Sequence, residues 1–193
     1  MARMRTTMMI ALAVAVLGCG GKKSESGGGG GGKAKDADPA AANAAVPAEL
    51  KGKLEFDTAK DDQDHVAWVK PKGWKEGAIP GMVKPPDDAN LGFMTKYAVG
   101  TNCDGTCTSK DWPAVADKVE FAPLASAGTV ERDETTPGGR TMVVASGDRK
   151  DLAMVWWKKG AEHYVVCRAS LEKEVVPALA AFEAACKATV TGL

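Results

Sequence analysis

The run Leu152-Ala153-Met154-Val155-Trp156-Trp157 is apolar at every position. A strand shows successive side chains to opposite faces of its sheet, and a half-solvated antiparallel strand would alternate apolar with polar residues. This strand therefore needs cover on both sides, and the chain offers two covers. One is a helix opened by Asp111, with Pro113 in its first turn and Trp112, Val115, Ala116 and Val119 as its apolar positions. The other is a C-terminal helix beginning near Glu174, with Pro177 in its first turn and Val175, Leu179, Phe182 and Cys186 recurring at helical spacing.

Turn residues set out the remaining strands. Strands over 129–135, 141–145 and 162–168 flank the apolar run, separated by turns at Pro137-Gly138-Gly139, Gly147-Asp148 and Lys159-Gly160. Pro at the second and Gly at the third position of the first of these suit a type II turn. Upstream, Leu54 with Phe56 and the run 66–69 read as two strands at the first edge of the sheet. The segment 77–90 reads as a long loop and 91–99 as a third strand. The expected fold class is α+β: a mainly antiparallel sheet of about six or seven strands with helices covering both faces, after a disordered tether. The boundaries are 1–18 for a signal peptide, 19–49 for a flexible Gly/Ala-rich tether and 50–193 for a single globular domain. A domain of that length buries roughly two-thirds of its unfolded surface.

The N-terminus carries the strongest clue to location. Arg3 and Arg5 precede a ten-residue apolar stretch, Met8 to Leu17, and Gly18 stands before Cys19, the layout of a secretory signal. Ten residues fall short of the roughly 20 that a spanning helix needs. Val16-Leu17-Gly18-Cys19 resembles the lipobox of bacterial lipoproteins, although Leu17 stands where a small residue is usual. The resemblance implies a lipid-modified Cys19 as the mature N-terminus and a membrane partner reached through that lipid. Gly20 is not the aspartate that resembles an inner-membrane retention signal, so within the bacterial cell envelope the outer membrane is favoured.

Charge excludes one class of partner. The chain holds 25 basic and 25 acidic residues, and removal of Arg3 and Arg5 with the signal turns that balance slightly negative. Nucleic-acid binders carry clustered basic excess, and none is present. Gly27 to Lys33 nearly spells a phosphate-binding loop, but Ala34 stands where a metal-binding hydroxyl is needed and no strand precedes the glycines. The segment is a spacer.

Four cysteines remain after Cys19, and an oxidising compartment makes disulfides their default. Three pairings are open. A tight turn around Gly105 brings Cys103 and Cys107 within the roughly 4.4–6.8 Å between α-carbons that a disulfide requires, which leaves Cys167 with Cys186. Against that second bridge, Cys167 ends its expected strand and Cys186 lies about twelve residues into the expected helix, roughly 18 Å along its axis. Pairing of Cys167 with the 103–107 loop is the rival arrangement.

Other constellations are weaker. The thioredoxin-type redox spacing has two residues between its cysteines, and here there are three. Cys103, Cys107, His163 and Cys167 have zinc-binding residue types, but free thiolates do not suit the compartment. Asp57, Asp61, Asp62, Asp64 and His65 form an acidic loop without the ligand alternation and central glycine of a calcium site. Ser170 and Lys173 have the spacing of penicillin-recognising enzymes without their companion motifs. No metal, cofactor or catalytic residue is expected. Trp156 and Trp157 read as core, whereas Trp74 and Trp112 adjoin loops and are candidates for partner binding.

Pro71-Lys72-Gly73-Trp74 after an early strand, then a long loop, a helix, a four-strand meander and a last helix containing Phe182-Glu183-Ala184-Ala185-Cys186 resemble the PsbP-like fold over roughly residues 53–190. That resemblance implies binding or assembly more often than catalysis. The functional expectation is a lipid-anchored, non-catalytic envelope protein that binds a protein partner or supports an assembly. The alternative is a periplasmic carrier of a small molecule or lipid, with an enzyme third.

Overall fold

The structure, a computed structural model, describes residues 37–60, 67–86, 89–100 and 111–189. It is an α+β fold. In chain order the elements are helix α1 (Ala40–Ala44), strands β1 (Phe56–Lys60), β2 (Ala67–Pro71), β3 (Lys75–Glu76), β4 (Met82–Lys84) and β5 (Gly92–Gly100), and helix α2 (Trp112–Ala116). A π-helical turn (Asp117–Phe121) leads into helix α3 (Ala122–Ser126). Strands β6 (Thr129–Thr136), β7 (Gly139–Ser146), β8 (Arg149–Trp156) and β9 (His163–Leu171) follow, and helix α4 (Leu179–Ala188) ends the described chain.

Seven strands form one antiparallel sheet in the order β3-β4-β5-β9-β8-β7-β6. The short turns expected between β6, β7 and β8 are present, each a two-residue connection. Gly138 is not among the glycines with positive φ, so the Pro137–Gly138 turn is not the type II turn expected, which needs that conformation at its third position.

Both faces of β8 are covered. Leu152 and Met154 enter one core together with Val143, Cys167 and Ala169, beneath α4 and α1. Ala153 and Val155 enter a second core with Met142, Tyr164 and Val166, beneath α2, the π turn and Phe121. The π turn has a physical cause. Pro123 has no amide hydrogen, and its ring would clash with the carbonyl four residues back, at Val119; a π-helical turn at 117–121 absorbs that mismatch without ending the helix.

Four expectations need correction. Among the described residues β1 and β2 pair only with each other, packing Phe56, Trp68 and Val69 into the α4-side core instead of forming the first edge of the large sheet. That edge is β3, just before the segment 77–90 read as a long loop, and β4 inside it; β4 pairs onto β5 through Met82↔Thr95 and Val83↔Met94. The C-terminal α-helix starts at Leu179, after a 3-10 turn over Val176–Ala178. The folded unit also begins before residue 50. Ala37, Ala42 and Val46 are buried in the α4-side core, Asn43 accepts from the Phe56 amide at 2.7 Å and donates to the Phe56 carbonyl at 3.0 Å, and the Thr58 hydroxyl donates to the Ala37 carbonyl at 2.7 Å. Residues 37–49 thus belong to the domain and not to the tether, because the Asn43 side chain satisfies strand groups that β1 would otherwise leave unpaired.

Candidate partner-binding surface

The two tryptophans proposed for recognition lie inside the protein. Trp74 packs against Phe182 with ring centroids 5.9 Å apart. Trp112 packs 5.5 Å from Tyr164, and its indole N–H donates to the Ala161 carbonyl at 2.9 Å. Adjacency to loops misled because each ring turns inward to fill a core. Trp157 is also core, its N–H donating to the Pro137 carbonyl.

Cys167 and Cys186 form a disulfide with their α-carbons 5.7 Å apart. The geometric objection to it disappears for two reasons. β9 runs on to Leu171, so Cys167 sits mid-strand. α4 begins at Leu179, so Cys186 lies only seven residues beyond the helix start, about 10 Å along the axis. The chain overshoots Cys167, turns through 172–178 and returns level with it. Cys19, Cys103, Cys107 and the acidic loop at Asp61, Asp62, Asp64 and His65 lie outside the described residues. Among the described residues no group of three or more His, Cys, Asp or Glu is placed to hold a metal ion, and no helix is long and apolar enough to cross a membrane.

The most concentrated polar chemistry is buried under the π turn. Glu120, 2% exposed, accepts from the Tyr97 hydroxyl at 2.7 Å and the Tyr164 hydroxyl at 3.1 Å, and pairs with Arg168 Nη2 at 2.7 Å. The same Nη2 donates to the Glu120 carbonyl at 2.8 Å. Burial, reinforced by the Glu120 charge, pushes both phenols well above their ordinary range. Both carboxylate oxygens of Glu120 are occupied, so the cluster cements the helix to the sheet. A sequence signal existed: Glu120 lies four residues after Ala116 on the buried stripe, where a carboxylate demands a cationic partner.

A matching cross-link serves the other face. Arg132 Nη2 of β6 pairs with Glu183 Oε2 of α4 at 2.6 Å, and Lys187 adds a second contact at 2.7 Å. Burial works to raise the Glu183 pKa, but the hydrogen bonds from Lys187 and Arg132 outweigh it and hold the carboxyl below its ordinary value.

With both sheet faces covered, the open feature is the β6 edge. β6 spans eight residues, all but one exposed, and no described strand pairs with its outer side. Glu131 is left out of the β6/β7 register as a bulge between Val130↔Val144 and Arg132↔Val143, after which pairing runs unbroken from Arg132 to Thr136. Asp133 is held by Arg140 through two contacts of 2.7 Å, Glu131 pairs with Lys150, and Val130 is 42% exposed. Comparison with known protein families and with curated proteins finds no match. The class defined here is therefore architectural: a two-core α+β domain stapled by one observed disulfide.

Proposed function

We propose that this chain is a lipid-anchored, non-catalytic envelope protein that recognises a protein partner through the β6 edge. One observation carries the recognition half: β6 is a long, exposed strand whose outer main chain is unpaired among the described residues, the arrangement that accepts an added strand from another chain. The closed state of the Glu120 cluster supports a binding role over acid-base chemistry. The anchoring half rests on the lipobox-like 16–19 segment, and the PsbP-like order of elements favours assembly over catalysis.

Two measurements test the reading. Membranes carrying the wild-type chain and a Cys19→Ala variant are washed with salt and fractionated; the variant is expected in the soluble fraction, and its retention would overturn the anchor. A photo-crosslinking side chain is then placed at Thr135 on β6 and, separately, at Lys173, an exposed position beyond β9. Discrete protein adducts from Thr135 and none from Lys173 are expected. Equal labelling from both positions removes β6 as the recognition site.

A further inference from the structure

Resting on the partner-binding reading, we infer that the β6 partner is an extended, cationic polypeptide segment that pairs with Arg132–Thr136. Three features of the edge select that occupant. The first is length. The bulge at Glu131 interrupts the register, while the five residues from Arg132 to Thr136 pair regularly with β7, so they present a straight main-chain ladder on the outer side. A bulge next to an edge confines pairing and re-aims the strand end.

The second feature is charge. The outermost row carries Glu131, Asp133 and Glu134 against one cation, Arg132, whose Nη2 is already committed to Glu183 of α4. Arg140 and Lys150, which answer Asp133 and Glu131, sit one and two strands further in, and Arg140 also binds Asp117. A strand laid along β6 therefore meets carboxylates first. Opposite charges across neighbouring strands stabilise the pair, and like charges directly opposite destabilise it.

The third feature is what the edge rejects. In antiparallel self-pairing, a register centred on Asp133 or on Glu134 sets that carboxylate against its own copy. A register centred between them sets Asp133 against Glu134 twice. A register centred between Arg132 and Asp133 pairs those opposite charges but sets Glu131 against Glu134, so carboxylates meet carboxylates in each of these registers, whereas a cationic partner strand meets no such penalty.

The test uses the chain from residue 19 onward, which holds both cores, with amide hydrogen exchange read residue by residue. The probe is a synthetic eight-residue peptide alternating lysine with valine or threonine. Two control peptides carry glutamate for lysine, or N-methyl groups on alternate amides. The lysine peptide is expected to slow exchange in the 132–136 segment about tenfold, less at high salt because screening weakens charge attraction, while both controls leave it unchanged. Glu134→Lys should weaken the lysine peptide about fivefold or more without changing the melting temperature. Equal binding of the glutamate or N-methylated peptide, or protection confined to other strands, overturns the inference. If the lysine peptide fails while Thr135 still crosslinks a protein in membranes, partner binding at β6 stands and only the cationic-strand inference falls.

Discussion

Arg168 Nη2 lies 2.7 Å from Glu120 Oε2 and 2.8 Å from the Glu120 main-chain oxygen, so a single guanidinium ties β9 to both the side chain and the backbone of the π turn. Its Nε is buried without a hydrogen-bond partner, as is Nε of Arg132 in the cross-link to α4. Each helical layer is thus pinned to the sheet by one arginine and one glutamate. Removing one member of a buried pair strands the other charge and costs about 3–5 kcal/mol. Arg168→Ala is expected to lose stability in that range in urea unfolding. Tyr97→Phe, which deletes one hydrogen bond, should lose about 1–3 kcal/mol, and the reverse ranking would refute the pinning role.

Asn43 bonds both main-chain groups of Phe56, acting as a strand neighbour for β1. Asn43→Ala leaves those groups unpartnered and is expected to cost about 1–3 kcal/mol. A chain beginning at residue 50 should be less stable still, because it also removes Ala42 and Val46 from the core. Equal urea midpoints for the chains starting at 37 and at 50 would show that the α1 segment contributes nothing.

The Cys167–Cys186 bridge closes a sequence separation of 19, and a loop of that size contributes about 3 kcal/mol in the chain-entropy account. The Cys167→Ala/Cys186→Ala double variant is expected to unfold at correspondingly lower urea. Both cysteines are wholly buried, so a dithiol should cleave the bridge only as fast as the domain opens. Non-reducing peptide mapping should recover a 167–186 linked peptide; a peptide joining Cys167 to Cys103 or Cys107 would contradict the structure.

Acid and alkali should act through different groups. Asp133, held down by its hydrogen bond to Arg140, and Glu183 both have carboxyls below their ordinary values when folded. Their contribution is present above the unfolded carboxyl range and is lost as pH falls from there, roughly pH 5, through their lower folded values. Glu183→Gln should flatten that acid limb of the melting curve. Tyr97 and Tyr164 have raised folded values, so their contribution is full below the unfolded phenol value of about 10 and declines as pH rises beyond it. Tyr97→Phe/Tyr164→Phe should lose the steep alkaline limb above pH ~10; an unchanged limb would remove these phenols as its cause.

What was legible beforehand lay where period and length were strong. The six apolar residues of 152–157 demanded two covers, and turn residues placed β6 to β9 in order, because alternation over eight-residue strands has only one register that buries the apolar set. The Cys167–Cys186 bridge stayed open in the sequence because it depended on three extra residues of β9 and on where α4 begins, and helix starts after a proline-containing turn are poorly marked.

By itself, then, the sequence determined the α+β class, the double cover of the central strand and most of the core residues on 152–157 and on the two covering helical stripes, since these follow from side-chain periodicity. Tertiary structure alone decided that Ala40–Ala44 is folded, that Lys75–Glu76 and Met82–Lys84 complete the sheet, that Trp74 and Trp112 point inward, and that Glu120 meets Tyr97, Tyr164 and Arg168. Strands of two or three residues and a five-residue alanine-rich helix are too short to carry a period. They exist only because neighbouring elements supply the hydrogen bonds and the apolar surface they lack.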